Sequence, residues 1–244
     1  MYLTTNGLVL RETAYKDSSK ILTILTDGAG KLTVSARGAL RRNSKLAAVT
    51  QLLVFSEMTL YHSKDRWTLT EARSIEQFIG LRDDILLLAL AAYIMELTEA
   101  VADEDSPNPE LLPLSLNALY ALSEKIKTPE YVKPAFELRL MSTSGFTPLL
   151  TQCKKCSRVD IERAHLDIVG GTIQCSECGP SAGAVLSKAA LSAARYIVGC
   201  NARKLYSFTL NRASLRELSS ASEGYLLSHL DKRFRTLEFY KGLI

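Results

Sequence analysis

Residues 21–36 read ILTILTDGAGKLTVSA, in which two runs rich in β-branched side chains flank Asp27-Gly28-Ala29-Gly30. Runs of this kind favour extended backbone, and glycine supplies the positive φ angles that tight hairpin turns require. The stretch therefore predicts a β-hairpin with a glycine-rich tip. Strand-like runs continue on both sides of it, which makes the hairpin the centre of an all-β region.

Five strand candidates lie within the first 80 residues. They cover residues 7–13, 21–26, 31–36, 51–61 and 66–72. Five short strands with one long excursion between the third and the fourth predict a small Greek-key barrel of the OB-fold type over residues 1–80, with an SH3-like barrel as the alternative. Alternation along the fifth strand predicts that Trp67, Leu69 and Glu71 share one face and that Thr68, Thr70 and Ala72 share the other.

The hairpin tip and the long excursion are basic. From Gly28 to Ser56 the chain contains no Asp or Glu, although its net charge is only +4. The cations of this stretch are Lys31, Arg37, Arg41, Arg42 and Lys45. A sheet followed by a cationic loop suits a nucleic-acid backbone, because clustered Lys and Arg attract phosphates. A solvated basic loop without any ligand is the alternative interpretation.

After residue 80 the sequence becomes helical. Runs rich in Leu, Ala and other helix-compatible residues predict helices over residues 85–101, 110–127, 131–142 and 188–200, and the first of them contains neither Gly nor Pro. Ser187 is a candidate N-cap, and Asn211 or Ser214 starts a further helix that reaches about Leu230. These helices predict an α-helical domain made of residues 81–150 and 182–244, in an α+β multidomain protein.

Two Cys-x2-Cys pairs interrupt the helical part of the chain. Cys153 and Cys156 form the first pair, Cys175 and Cys178 form the second, and 18 residues separate the pairs. This spacing predicts one tetrahedral Zn²⁺ ion in a module of residues 151–181, with a hairpin turned at Gly170-Gly171. Four thiolates fill the coordination shell, so the predicted zinc is structural. His165 lies between the pairs and is not needed as a ligand.

Catalytic constellations are missing from the sequence. Its three histidines are scattered, and neither a His-Glu-x-x-His motif nor a Gly-x-Ser-x-Gly elbow occurs. The segment Gly28–Lys31 resembles the end of a phosphate loop, but no Ser or Thr follows the lysine. We therefore predict a protein that is not an enzyme. A start without signal-peptide features and an apolar run of only residues 85–95 predict a cytoplasmic location and no membrane span.

The order of these parts resembles one known family. The resemblance is carried by Gly7-Leu8-Val9-Leu10, Leu22–Thr26, Gly30-Lys31, Arg37-Gly38-Ala39 and Ser44-Lys45-Leu46, followed by the helical middle and the cysteine quartet. Together they resemble the bacterial recombination mediator RecO family over essentially the full length. In that family the barrel is an OB-fold, the middle is helical and many members hold a structural zinc.

The resemblance implies a non-enzymatic role in DNA repair by the RecF pathway, at the nucleoid. Such a protein binds single- and double-stranded DNA, anneals complementary strands and works with RecR. It helps to load RecA onto DNA coated by single-stranded DNA-binding protein (SSB). An RNA-binding or ribosome-associated protein with the same barrel and zinc is the alternative, and a zinc-dependent hydrolase or deaminase would need an open metal position.

The resemblance also implies roles for individual residues of this sequence. The five cations of the basic stretch, Lys31, Arg37, Arg41, Arg42 and Lys45, are assigned to phosphate contacts. If each neutralises one phosphate of a single strand, log K should fall against log[salt] with a slope of about −3.5. Tyr61 and Trp67 are candidate stacking platforms for bases, and Lys154 and Lys155 are candidates to extend the basic surface.

Overall fold

A computed structural model describes residues 1–104, 106–179 and 182–244. The chain forms two compact units, one of Met1–Glu124 with Phe234–Ile244 and one of Lys125–Arg233. Ser181, the last residue of the predicted metal module, lies outside the described residues. The division of the chain into the three predicted domains stays a prediction.

The first unit contains the predicted barrel. Its strands are β1 (Tyr2–Tyr15), β2 (Ser19–Thr26), β3 (Lys31–Ala36), β4 (Phe55–Ser63) and β5 (Arg66–Glu76). They close in the order β1-β2-β3-β5-β4, with β4 returning to β1. All neighbours are antiparallel except β3 and β5, which run parallel through Val34↔Trp67 and Ser35↔Thr68. The fold class predicted from the sequence, an OB-like barrel within an α+β protein, is confirmed.

The barrel interior is apolar, and one bulge changes which residues face it. Leu60 pairs with Leu69, whereas the preceding Thr59 pairs with Glu71 and leaves an extra residue in β5. A bulge shifts the side-chain alternation by one position. Ala72 therefore packs against the core and Glu71 is exposed. The predicted alternation is wrong beyond the bulge, because it placed Glu71 on the face of Leu69.

The linker between β3 and β4 covers residues 37–54 and is anchored to the barrel by apolar side chains. Ala39 belongs to the buried core of the barrel, and Leu46 packs against that core. Thr50 is buried and its hydroxyl donates to the Leu46 carbonyl at 2.7 Å. Because these residues pack the linker against the barrel, the charged residues of the linker are exposed to solvent.

Two helices follow the barrel in the first unit, α1 (Ile85–Val101) and α2 (Leu111–Ser123). The Asp84 carboxylate caps α1 by accepting from the Leu86 amide at 2.8 Å, so α1 has the bounds that the sequence predicts. The buried hydroxyls of Thr98 and Ser115 meet at 2.9 Å and join the two helices. α2 ends earlier than predicted, at Ser123.

The second unit combines three helices with a small sheet. The helices are α3 (Pro129–Thr143), α4 (Lys188–Gly199) and α5 (Arg212–Leu230). Ser187 and Asn211 cap α4 and α5 through bonds from the amides of Ala190 and Ser214. The strands are β6 (Leu149–Cys153), β7 (Arg163–Asp167), β8 (Thr172–Cys175) and β9 (Ala184–Ser187), in the order β6-β8-β7-β9. The predicted hairpin at Gly170-Gly171 joins β7 to β8, with Gly171 at φ +63.

A buried ionic network joins α3 to α5. The Lys133 ammonium lies 2.8 Å from Glu137 Oε1 and 2.8 Å from Glu223 Oε2. Ser222 donates its hydroxyl to Glu137 Oε2 at 2.6 Å. Lys133 and Glu137 are 5% and 0% exposed, so their charges must be compensated within the network.

The last helix, α6 (Arg235–Lys241), belongs to the first unit. Phe234, just before α6, meets Tyr93 of α1 edge-on with ring centroids 6.1 Å apart. Glu96 of α1 accepts hydrogen bonds from the amide and the hydroxyl of Thr236. The end of the chain is therefore fastened to the helix that follows the barrel.

Candidate nucleic-acid interface and metal centre

The linker after β3 presents four of the five predicted phosphate ligands. Arg37, Arg41, Arg42 and Lys45 are all exposed, and none makes an ion pair within the described part of the chain. Gly38 lies between the first two at φ +70, and its carbonyl accepts from the Arg41 amide at 3.1 Å. This turn holds the arginines near one another on a surface that Ala39 and Leu46 fix to the barrel.

Lys31, the fifth predicted ligand, lies elsewhere. It begins β3, its ammonium donates to the Glu99 carbonyl at 3.2 Å, and its amide donates to the Asp103 carbonyl at 3.1 Å. The carbonyls of the last helical turn have no partner within a helix and carry its partial negative charge. Lys31 therefore caps the C-terminal end of α1, and the residue as a whole is half-buried.

Two other barrel cations are paired with acids. Arg11 lies 2.9 Å from Glu99, and Lys20 pairs with Glu12. Pairing of this kind cancels charge locally, whereas the linker cations stay uncompensated. Lys16, Lys64, Arg66 and Arg73 are also exposed, but each has an acid within three residues in sequence, whereas the linker contains none.

The two predicted stacking residues differ in their surroundings. Trp67 is half-buried, packs against the barrel core and has its ring centroid 4.5 Å from that of His62. Tyr61 is 38% exposed and lies beside Tyr2, which is 67% exposed, with the centroids 4.9 Å apart. Sequence reasoning missed Tyr2 because it began the first strand at Gly7. The β-favouring run Tyr2-Leu3-Thr4-Thr5 was the available signal.

The four predicted metal ligands converge. The Sγ atoms of Cys153, Cys156, Cys175 and Cys178 all lie within 4.8 Å of one another. The Cys153–Cys178 and Cys156–Cys175 sulfur distances are 3.9 Å and 3.7 Å. Zinc–sulfur bonds of 2.3 Å in a tetrahedron imply sulfur–sulfur edges of about 3.8 Å, so the cluster has the dimensions of such a site. The cluster could hold one metal ion.

The electrostatics of the cluster favour a cation. Burial raises the pKa of Cys153, but hydrogen bonds from the amides of Cys175 and Lys155 to its sulfur lower that pKa to about 6. The side-chain hydrogen bonds with Cys156 and Cys175 raise the pKa of Cys178 to about 12. Four crowded thiols cannot all ionise unless a positive ion compensates them.

Two ion pairs link the segments that surround the cysteine cluster. Arg158 pairs with Glu177 across the two cysteine turns, and Lys154 lies 3.2 Å from Asp167. Lys154 is thus engaged, whereas Lys155 is exposed. His165 is outside the cysteine cluster, and its Nε2 lies 3.5 Å from the Ser176 hydroxyl.

Within the described ranges, no helix is long and apolar enough to cross a bilayer.

Comparisons with known proteins identify the same family in both halves of the chain. The profile of the recombination protein O N-terminal family matches residues 1–78, and that of the recombination protein O C-terminal family matches residues 82–238. A DNA repair protein RecO from Acetivibrio thermocellus is 34% identical over 244 residues, which cover 99% of this chain and 97% of that protein. One from Caldicellulosiruptor bescii is 33% identical over 97% of each chain.

Proposed function

Because the chain belongs to the recombination protein O family and has a role in DNA repair and recombination, we propose that it is a non-enzymatic, DNA-binding recombination mediator. It binds single- and double-stranded DNA through the linker after β3. The observation that carries this proposal is the group of four exposed linker cations without an ion-pair partner among the described residues.

The mechanism is electrostatic. Two complementary strands repel each other through their phosphates, and a surface that neutralises some of those phosphates lowers the repulsion. Base pairing then drives annealing. The protein breaks no bond in this process, and no nucleotide is hydrolysed.

The linker arginines give the first prediction. With Lys31 engaged by Glu99, four contacts remain, and the slope of log K against log[salt] on a single strand should be about −2.8. Replacing Arg37, Arg41 and Arg42 together by Ala should weaken binding at low salt and flatten the slope by about 2 units. Fluorescence anisotropy with a labelled oligonucleotide across a salt series measures both quantities.

A charge-matched control is available in the second unit. The triple variant Arg203→Ala, Arg212→Ala and Arg216→Ala removes the same charge from exposed positions. It should leave the slope unchanged. Equal losses in the two triple variants would show that net charge, and not the linker, determines binding, and would reject the site assignment.

The proposed metal is one structural Zn²⁺ ion bound by Cys153, Cys156, Cys175 and Cys178. The convergence of four sulfurs at tetrahedral spacing supports it. Such a closed shell leaves no position for a reactive water, so this ion stabilises the small sheet and carries out no catalysis. Elemental analysis and X-ray absorption test the identity of the ion and the sulfur-only shell; a light-atom ligand would favour a catalytic site.

Its proposed partners are RecR and SSB, and its proposed location is the nucleoid. In this role the protein helps to load RecA onto DNA that SSB covers. We expect the purified chain to anneal complementary strands without ATP, including strands coated with SSB, and the linker variant to anneal more slowly. Competition between DNA and RNA single strands of equal length separates this role from an RNA-binding one, for which a tenfold preference for RNA would be the evidence.

A further inference from the structure

An aromatic pair occupies the outer surface of the barrel. Tyr2 of β1 and Tyr61 of β4 are register partners, with ring centroids 4.9 Å apart and ring planes tilted by 46°. Their chain neighbours Leu3 and Leu60 pair with each other and turn inward. The two rings therefore point outward, and both are open to solvent.

The pair lies at one end of an uncharged row that crosses the sheet. Tyr61 pairs with Thr68 of β5, and Thr68 pairs with Ser35 of β3. Two strand spacings, about 10 Å in all, separate Tyr61 from Ser35. The side chains of Thr68 and Ser35 are too short to cover the tyrosine rings. The row is therefore a polar strip of the sheet surface with the two rings at one end, which we call the path.

The other end of this row leads into the cationic linker. Ser35 is two residues before Arg37, the first linker cation. Glu71 lies in the adjoining row, opposite Thr59, and is the acid closest in register to the path. The start of the cationic linker at one end and two exposed rings at the other match a ligand that carries both phosphates and flat aromatic groups.

From this arrangement we propose that Tyr2 and Tyr61 form a stacking platform for the bases of a single strand whose phosphates are held by the linker. The inference rests on the proposed function, since it needs a nucleic acid on the linker. Bases stack on aromatic side chains whatever their sequence, so the platform adds affinity for unpaired strands without sequence preference. A duplex offers its phosphates but keeps its bases stacked inside, so the platform favours single-stranded over double-stranded DNA.

Alanine variants give the main test. Tyr2→Ala and Tyr61→Ala should each lower the affinity for a single-stranded oligonucleotide about 5- to 150-fold. The same factor should appear at every salt concentration, because stacking releases no counterions, so the salt slope stays that of the native chain. Tyr2→Phe and Tyr61→Phe keep the ring and should bind as the native chain does. Affinity for duplex DNA should change less than twofold.

An abasic oligonucleotide separates stacking from a structural effect. Cross-strand aromatic pairs also stabilise sheets, so thermal unfolding of each variant is measured alongside. The native chain and the alanine variants should bind the abasic strand equally, since it has phosphates but no bases. A loss of affinity for the abasic strand that matches the loss for the normal strand would overturn the proposal.

A fluorescent reporter observes the platform directly. Trp67 is the only tryptophan, so Tyr61→Trp in a Trp67→Phe background places one indole in the pair. Single-stranded DNA should quench its emission, and the abasic strand should not. Native affinity in the alanine variants, with binding still lost in the linker triple variant, would reject the platform and keep the DNA-binding role. Absence of binding by the native chain would reject both.

Discussion

Replacing Cys153 by Ser should abolish metal binding and unfold the small sheet of the second unit. Cys153 is the last residue of β6 and is fully buried, and its sulfur accepts two amide hydrogen bonds. Structural zinc in small modules supplies about 10–16 kcal/mol at neutral pH, which is comparable to or larger than the whole stability of a typical domain. Metal content and hydrogen exchange of β6 to β8 measure the effect.

Cys200→Ser is the matched control for this experiment. Cys200 lies at the end of α4, apart from the cluster, and is half-buried. Its replacement should leave metal content and exchange rates unchanged. A strong chelator should reproduce the Cys153→Ser result in the native chain, and acid should do so too, because protons compete with the metal for thiolates. Native-like exchange in metal-free protein would contradict the structural role of the ion.

Removing the carboxylate of Glu137 should lower the free energy of unfolding of the second unit by about 3–5 kcal/mol. The substitution Glu137→Ala leaves the Lys133 ammonium, only 5% exposed, with Glu223 as its remaining partner in the network. It also removes the acceptor of the Ser222 hydroxyl. Denaturant unfolding followed by circular dichroism measures the loss.

Two further variants separate charge from packing. Glu223 is 19% exposed, so Glu223→Ala should cost less than Glu137→Ala, since water can reach the ammonium from that side. The double variant Lys133→Met with Glu137→Leu removes both charges and should recover most of the loss. If the double variant is as unstable as Glu137→Ala, packing and not an unpaired charge is the cause.

The pH dependence of the network follows from Lys133. Burial lowers the pKa of this lysine, but Glu137 and Glu223 outweigh burial and raise it above the ordinary 10.5. A raised lysine pKa means that the stabilisation is complete below the ordinary value and is lost as pH rises through the folded-state value. The cost of Glu137→Ala should therefore be fully expressed at neutral pH.

Local patterns predicted much of the fold because local chemistry determines those features. The Asp84 cap fixed the start of α1, and the spacing of the four cysteines predicted which sulfurs would converge. The bulge between Thr59 and Leu60 was not predictable, since it arises from closing the barrel and leaves no local sequence mark. The alternation expected for Glu71 and Ala72 failed for that reason.

The sequence predicted which cations belong to the candidate interface, but not which of them have partners elsewhere in the chain. A stretch without acids identifies the exposed arginines of the linker, because no acid near in sequence can pair with them. Lys31 belongs to the same stretch, yet it meets Glu99, 68 residues further along the chain. Long-range partners of this kind decide which cations stay available, and the sequence alone does not reveal them. The pairing of Tyr2 with Tyr61 is likewise a long-range contact that the sequence alone does not reveal.

The attachment of α6 to α1 has a consequence for how the protein is made. During synthesis the barrel and its first two helices leave the ribosome long before Phe234 and Thr236, which fasten onto Tyr93 and Glu96. That side of α1 therefore stays uncovered until residues 234–241 have been synthesised and have left the ribosome. Nascent chains stalled before residue 234 should expose this apolar surface to chaperones, and release of a chain that includes residues 234–241 should cover it.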